Sequence, residues 1–216
     1  MTVFPDIHTH VENGVAGAFR LVCRPPEGFV PLGGHCYSVG IHPWSLAGDM
    51  PAECVWQMLS DAVCLPQVWA VGEAGLDKLA AAPMSLQEEV FVRQALLAER
   101  AGKPLVIHLV KAVDELLRVR HRLSPGVPWI IHGFRGKAPM AKELVRHGFY
   151  LSFGPCFQEP ALCAVPLSRL FLETDESPVP LAEVYLRAAR ARRISVDELA
   201  DAVRANVRSV FLAGIR

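Results

Sequence analysis

The sequence lacks an excess of charge of either sign. Lys plus Arg and Asp plus Glu both number 22 among its 216 residues, so the formal net charge is zero. Such a chain has no global field that attracts nucleic acid or an anionic membrane, and any site for a polyanion must be local. No run approaches the roughly 20 apolar residues that span a bilayer. The opening MTVFPD also lacks the basic and apolar segments of a secretory signal, so we expect a soluble, cytoplasmic protein with no membrane contact.

Paired cysteines are absent as well. The six cysteines are scattered at Cys23, Cys36, Cys54, Cys64, Cys156 and Cys163. Without a CxxC pair, neither a zinc ribbon nor a dithiol redox motif is indicated, and we expect buried free thiols. Because 51% of the residues are hydrophobic, the chain can bury a substantial core, and we expect one domain over residues 1–216.

Eight short apolar runs have the length and composition of β-strands. They are Val3–His8, Ala18–Cys23, Cys36–Ile41, Val68–Glu73, Pro104–His108, Trp129–His132, Phe149–Phe153 and Leu170–Glu173. From the third run onward each is followed by a helix-like segment, an alternation that indicates a parallel sheet covered by helices. Eight such strands predict an α/β fold, a TIM-type (β/α)8 barrel.

Two helices carry clear sequence signals. Capping-box spacing at Ser85 and Glu88, and again at Ser195 and Glu198, predicts helices over about 85–101 and 196–212. Further helices are expected at about 51–64, 111–123, 137–147 and 180–192.

The first two outer helices of the barrel are expected to be missing. About ten residues separate the first two strands, fewer than a parallel crossover usually needs. The proline-rich and glycine-rich segment RPPEGFVPLGG, between the second and third strands, also disfavours a helix. Strands 1 and 2 should therefore expose apolar surface unless the C-terminal helix or a second subunit covers it.

Polar residues able to bind metal end several of the predicted strands. They are His8, His10, Glu73, His108, His132 and Asp175. The C-terminal strand ends of a (β/α) barrel meet at one face, so these side chains should converge. Burying such a cluster without a metal would cost desolvation energy, and imidazoles with carboxylates suit a divalent ion. The sequence therefore predicts a metal centre, with Asp6 supporting the first two histidines through a hydrogen bond.

Motifs along nearly the whole chain resemble those of the TatD-related metal-dependent deoxyribonucleases of the amidohydrolase superfamily. The matching segments are DIHTH (6–10), GIHPW (40–44), GEAGLD (72–77), the His108 strand followed by Asp114 and Glu115, IHGF (131–134), GFYLSFG (148–154), LETD (172–175) and NVRSVF (206–211).

The resemblance implies a TIM-type barrel that hydrolyses phosphodiesters with one to three divalent ions, and the six residues stand at the family's ligand positions. One ion would lower the pKa of a bound water while a second stabilises charge on the phosphoryl oxygens. Glu73 would bridge the ions, and Asp175 would be the general base, either as a ligand or by accepting the proton of the attacking water. The histidines favour zinc, manganese or nickel, whereas the carboxylates and family habit leave magnesium open.

Departures from the family pattern concern substrate recognition. The chain is shorter than is usual for the family. Lys78 replaces an aromatic residue or histidine after GLD, Val110 and Lys111 stand where an arginine is common, and the last motif reads LETDES.

The residues that we expect to contact substrate are His42, Lys78, Lys111, Arg135 and Lys137. His42 could instead be a structural histidine packed beside Pro43 and Trp44, and the four cations could be ordinary charged loop tips rather than phosphate ligands. His35, His121 and His147 are expected at the surface without a role. The segment RAARARR (187–193) is expected to be a solvated helix face rather than a nucleic-acid patch.

The sequence therefore favours a metal-dependent hydrolase that cleaves phosphodiester bonds. The expected substrate is either the end of a nucleic-acid strand, as for a nuclease, or a small phosphoester. One alternative is a hydrolase of small amides, esters or lactones, because the wider superfamily uses similar centres on such substrates. A second alternative is a non-catalytic barrel that binds a partner protein. The sequence identifies no partner protein.

Overall fold

The computed structural model describes residues 3–12 and 18–212. Its strands are β1 (Asp6–Thr9), β2 (Arg20–Arg24), β3 (Cys36–Val39), β4 (Val68–Asp77), β5 (Leu105–Val110), β6 (Trp129–Ile131), β7 (Tyr150–Phe153) and β8 (Leu170–Leu172). Its α-helices are α1 (Glu53–Cys64), α2 (Met84–Ala101), α3 (Val113–Leu123), α4 (Ala138–Arg146), α5 (Glu159–Ala164), α6 (Leu181–Arg192) and α7 (Val196–Val207).

The eight strands follow one another in chain order in a single sheet. The pairs β1–β2, β3–β4, β4–β5, β6–β7 and β7–β8 are parallel. Strand β1 also meets the chain just after β8, where Asp175 N donates to His8 O and Thr9 forms a bridge with Asp175. The first and last strands of the chain are therefore adjacent, as a barrel order requires.

The chain divides into two compact units. The terminal unit contains residues 1–22 and 130–216, and the central unit contains residues 23–129. The expectation of one domain over 1–216 remains a prediction.

The ends of the helices follow their local sequences, with one correction. Helix α2 ends at Gly102, whose left-handed φ of 62° suits a glycine. Helix α7 begins after Ser195, whose side chain accepts a hydrogen bond from Glu198 N, as predicted. The predicted capping box at Ser85 is wrong, because α2 already begins at Met84 after Pro83, leaving Ser85 inside the first turn. The six-residue α5 was not predicted, since one turn and a half shows no periodic pattern.

No helix lies between β2 and β3. Residues 25–35 are all described and form turns, with Phe29 packed edge-on against Tyr37 at a centroid distance of 5.1 Å. Leu32 N donates to the hydroxyl of the same tyrosine, which ties the segment to β3. The prediction for the connection after β1 falls partly on residues 13–17, which lie outside the described residues.

The C-terminal elements cover the start of the terminal unit. Phe211, in the π-helical turn Arg208–Leu212 that follows α7, lies 5.3 Å from Phe19 between ring centroids. Tyr185 of α6 stacks on Phe4 at 4.6 Å and donates its hydroxyl hydrogen to Pro5 O. Phe211 thus packs against the chain entering β2, and Tyr185 packs against the chain entering β1, so α6 and the C-terminal segment both contribute aromatic cover.

All six cysteines are free thiols, as expected, but the expectation of burial is wrong for most of them. Cys23 on β2 is buried and Cys36 is partly buried, whereas Cys54, Cys64, Cys156 and Cys163 are exposed. The exposed thiols lie on outer helices or in a loop, where the small side chain need not face the core. No helix within residues 3–12 and 18–212 combines the length and apolar character needed to cross a membrane.

Candidate active site

The central unit brings two imidazoles onto one carboxylate. Glu73 lies on β4, His108 on β5 and His42 just after β3, so adjacent parallel strands deliver all three. Glu73 Oε1 lies 2.9 Å from His108 Nδ1 and 3.1 Å from His42 Nε2, and the two rings meet edge to face at 4.4 Å. One donor atom from each residue falls within 4.8 Å of the others, close enough to share a metal ion.

Glycines allow the strands carrying these residues to approach closely. A Cβ on Gly72 would overlap the carbonyl oxygen of Val106, and one on Gly75 would overlap that of His108. A Cβ on Gly40, in the chain on the other side of β4, would likewise overlap the backbone of Gly72. Only glycine permits this backbone separation, so the spacing of the cluster depends on these positions.

Asp77, at the end of β4, orients His108 from the opposite side of the ring. Its Oδ2 lies 2.9 Å from His108 Nε2 and accepts a 2.6 Å hydrogen bond from Trp44 Nε1, while Oδ1 accepts from Leu79 N. Burial acts to raise the pKa of Asp77, but the bonds from His108 and Trp44 outweigh it and the pKa is lowered. An ionised Asp77 favours the proton on Nε2, which leaves Nδ1 as the lone-pair donor facing Glu73.

Two buried glutamines of α2 hold the strand ends in place. Gln87 accepts from Asp77 N at 2.7 Å and donates to Asp77 O at 2.9 Å, and Gln94 makes the same pair of bonds with Ile41. No role for Asp77 or for these glutamines is predicted from the sequence. In the sequence, the two glutamines stand out only as amides seven residues apart, which places them on one face of α2. That pattern is too common to identify a site.

In the terminal unit, histidines surround Asp175. His8 on β1, His132 after β6 and Asp175 after β8 each place a donor atom within 4.8 Å of the others. Asp175 Oδ1 lies 3.6 Å from His8 Nε2 and 3.5 Å from His10 Nε2. The His8 and His132 rings are 4.0 Å apart between centroids. The strand register of DIHTH therefore directs both of its histidines at one carboxylate, as expected from the i, i+2 spacing.

The charge of Asp175 is maintained despite partial burial. Burial raises the pKa of the Asp175 carboxyl, but hydrogen bonds from His10 and His8 and the charges of the nearby imidazoles oppose it, so the pKa is lowered overall. Its backbone has a φ of 56°, in the left-handed region that a non-glycine residue adopts at some cost. The chain just beyond β8 is thus held in a fixed, uncommon conformation that aims this carboxylate.

Asp6 and Glu173 support the terminal cluster from behind. Asp6 accepts hydrogen bonds from the backbone and hydroxyl of Thr174, the neighbour of Asp175, at 3.1 and 2.7 Å. Burial raises the pKa of Asp6 to about 6, although the bonds from Thr174 lower it. Glu173 is fully buried, accepts from Gly133 N at 2.6 Å and lies 3.4 Å from His132 Nδ1.

The four predicted phosphate contacts have different environments. Lys78 pairs with Glu115 at 2.8 Å, so part of its charge is compensated. Lys111 and Lys137 are exposed, the first with a left-handed φ of 55° and the second at the start of α4. Arg135 is exposed and lines a cavity of about 200 Å³ in the terminal unit together with Asp175 and Glu173. Arg135 thus lies beside the Asp175 cluster of its own unit.

Most of the chain matches a known family. The sequence profile described as TatD related DNase covers residues 32–212. The chain belongs to the TatD family. Among its relatives, the metal-dependent hydrolase YjjV of Escherichia coli is 28% identical over 226 residues, covering 94% of this chain and 83% of the relative. The 3′-5′ ssDNA/RNA exonuclease TatD of Klebsiella pneumoniae is 29% identical over 154 residues, covering 65% and 57%.

The solved structures agree on the architecture of this TatD-family chain. The crystal structure of the E. coli YjjV protein superposes with a TM-score of 0.81 at 24% identity, covering 92% of this chain and 88% of that one. The predicted TIM-type barrel fold is therefore confirmed, and the chain is a metal-dependent hydrolase by family.

Proposed function

We propose that this TatD-family chain hydrolyses phosphodiester bonds at nucleic-acid ends or in a small phosphoester. In the proposal the residues that hold one to three divalent ions are His8, His10, Glu73, His108, His132 and Asp175. The observation that carries it is that each unit brings imidazole and carboxylate donors within 4.8 Å of one another. Family membership and the nuclease name of the Klebsiella relative support the choice of substrate class.

The donor sets suit a divalent transition metal. The terminal set offers two buried imidazoles and one carboxylate, and the central set offers two imidazoles and the nearly buried Glu73. Neutral imidazole favours zinc, manganese or nickel, while the carboxylates keep magnesium open. A buried group of this kind is costly to maintain without a cation that satisfies its lone pairs.

A bound ion would lower the pKa of its water and stabilise negative charge on phosphoryl oxygens. Asp175 is the proposed general base, because its carboxylate lies 3.6 Å from His8 Nε2 and 3.5 Å from His10 Nε2, beside the water that an ion held by the terminal cluster would bind. Glu73 has both carboxylate oxygens inside the central cluster, with Oε1 facing two imidazoles and Oε2 4.0 Å from Cys23 Sγ, and it is the proposed second catalytic carboxylate.

Substrate contacts are proposed for the exposed cations and for His42. Lys111, Arg135 and Lys137 have free access to solvent and can reach phosphate oxygens, whereas Lys78 must exchange its bond to Glu115 to do so. His42 is part exposed with Nε2 towards Glu73, so it can contact a substrate oxygen or act as a further metal donor. The variant His42→Ala distinguishes these roles, since loss of a donor lowers metal content and loss of a substrate contact raises KM alone.

The test is nucleotide release from single-stranded DNA, duplex DNA and RNA by protein loaded separately with zinc, manganese, nickel or magnesium. We expect release with at least one ion, and a loss of about 10²- to 10⁴-fold in kcat for Asp175→Asn, the range for removal of a general base. Asp201→Asn, an exposed carboxylate on α7, is the matched control and should keep full activity. No release from any nucleic acid with any ion, together with turnover of an amide, ester or lactone, would replace the phosphodiester proposal.

A further inference from the structure

Trp44 is an exposed indole held rigidly beside the central cluster. All four tryptophans lie in the described part of the chain, and Trp44, with 64% of its surface accessible, is the only exposed one. Trp56 and Trp129 are buried, and Trp69 is half-buried with its indole N–H bonded to Pro66 O. Leaving so large an apolar ring in water forgoes burial energy that the buried tryptophans gain, and it leaves the ring open to contact with a ligand.

Several contacts fix the position of this ring. Its Nε1 donates to Asp77 Oδ2 at 2.6 Å, and its backbone N–H donates to His42 Nδ1 at 3.1 Å. The short 3-10 turn Pro43–Ser45 that carries it is closed by a bond from Ser45 Oγ to His42 O. The ring is therefore already ordered, and a ligand that stacks on it pays little of the usual entropy cost of fixing a side chain.

The same contacts place the indole next to the reacting groups of the central unit. Asp77 Oδ2 accepts from Trp44 and also lies 2.9 Å from His108 Nε2, so a single oxygen separates the indole from a proposed metal ligand. Leu79, 59% exposed, continues the apolar surface from the other oxygen of Asp77, to which its backbone N–H donates. A flat group resting on this surface would adjoin whatever is bound at Glu73 and His108.

We propose that Trp44 is the stacking surface for a nucleobase of the substrate, next to the bond that is cleaved. This inference rests on the proposed phosphodiester activity and adds a source of affinity to it. Because the chain has no net charge, it cannot rely on a general electrostatic attraction for nucleic acid. Stacking supplies affinity without charge and accepts any base, since every base has a π-face.

Equilibrium binding to two probes that differ only in the base tests the proposal. Thymidine 5′-monophosphate and deoxyribose 5-phosphate are titrated into the intact protein by calorimetry, and intrinsic fluorescence is followed in parallel. For Trp44→Leu we expect the Kd of the nucleotide to rise by about 10- to 100-fold, the range for removal of one stacking contact, with no change for the sugar phosphate. For Trp44→Phe, which keeps an aromatic ring, the Kd of the nucleotide should lie between those of the wild type and Trp44→Leu. For Trp69→Leu it should equal that of the wild type.

Fluorescence gives a reading that does not depend on turnover. The nucleotide should quench part of the wild-type emission and of the Trp69→Phe emission, but not that of Trp44→Phe. Nucleotide affinity that is unchanged in Trp44→Leu, is lost equally for both probes, or is absent in the wild type would overturn the proposal. So would a change in sedimentation of Trp44→Leu relative to the wild type, because the indole would then be a contact between protein chains.

The two proposals fail in different ways. If the nucleotide quenches Trp44 emission but the protein releases no nucleotides from any nucleic acid, the proposed phosphodiester activity is wrong and the nucleobase surface is supported. Release of nucleotides with the same KM in Trp44→Leu as in the wild type would remove the stacking role and leave the activity.

Discussion

At the scale of single residues, the proposed chemistry depends on which nitrogen of each imidazole carries the proton. In the central unit one carboxylate faces each ring nitrogen of His108, Glu73 at Nδ1 and Asp77 at Nε2. Asp77 is anchored by four further hydrogen bonds, one each with Trp44 Nε1 and Leu79 N and two between its backbone and Gln87. A carboxylate held in this way is a positioning residue, because it fixes the ring that would bind the metal.

Asp77→Asn tests this positioning role. The amide has one acceptor oxygen in place of two, so it cannot serve His108, Trp44 and Leu79 together, and His108 loses its preference for the proton on Nε2. We expect metal affinity, measured by titration of chelator-treated protein, to fall by about 10- to 100-fold. Asp61→Asn on α1, whose carboxylate contacts only Gln57 among the hydrogen bonds described, is the control. Wild-type metal affinity in Asp77→Asn would show that His108 needs no second carboxylate.

At this scale the sequence predicts candidate ligands more readily than the residues that support them. Histidines and acids that end apolar runs are uncommon, so the two DIHTH histidines and Asp175 could be predicted, and the structure brings them together. Asp77 and Trp44 were part of recognised motifs but received no role. Their importance comes from a 2.6 Å bond between residues 33 positions apart, which neither residue type nor local spacing encodes.

At the scale of elements, the long strand β4 shows why glycine matters to the site. The strand predicted from the sequence ends at Glu73, whereas β4 continues through Gly75 to Asp77. The glycines are there because neighbouring backbones approach too closely for a Cβ. A glycine that permits close packing and a glycine that permits a turn look alike in a sequence read alone.

Gly75→Ala should therefore damage both stability and the site. The added Cβ would overlap the backbone oxygen of His108, which cannot move without shifting β5. We expect the free energy of unfolding, from urea denaturation, to fall by at least about 2 kcal/mol, as for severe overpacking. Gly33→Ala, where a Cβ meets nothing within 4 Å and φ is not left-handed, should change it by less than about 0.5 kcal/mol. Equal stability of the two variants would contradict this reading of β4.

The two serines that looked alike in sequence should differ in their effect on the helices. Ser195 accepts a hydrogen bond from Glu198 N at the start of α7, so Ser195→Ala should lower the free energy of unfolding by about 1 kcal/mol. Ser85 lies inside α2, where alanine is the better helix former, so Ser85→Ala should cost nothing or stabilise slightly. Thermal and urea unfolding of both variants measure the difference. An equal loss of unfolding free energy in the two variants would indicate that Ser85 caps α2 after all.

At the scale of the whole molecule, the order of elements was the most predictable property. Eight apolar runs alternating with helical segments indicated the parallel sheet, and the strands do follow chain order. The motif order supported the family, which the profile match over residues 32–212 confirms. What could not be predicted was the cover over the first strands. It depends on side chains distant in sequence, such as Phe211 against Phe19, and no local pattern reports such a contact.

Neutral net charge also has a consequence for the whole molecule. A nuclease that depends on a basic surface loses affinity steeply as salt rises, because binding releases condensed counterions. In this chain the candidate phosphate ligands are few and local, and one of them, Lys78, already pairs with Glu115. We therefore expect affinity to come from the proposed metal ions and from Trp44 more than from the general field of the protein.

The most direct test of the central claim, that this barrel holds a functional metal centre, is elemental analysis of protein purified without chelators or a His tag. The wild type is compared with His8→Ala in the terminal unit and Glu73→Ala in the central unit. We expect one to three equivalents of a divalent ion in the wild type and a loss of metal in both variants, with folding retained by circular dichroism. A folded wild-type protein that holds no metal, even after reconstitution with zinc, manganese, nickel or magnesium, would contradict the claim.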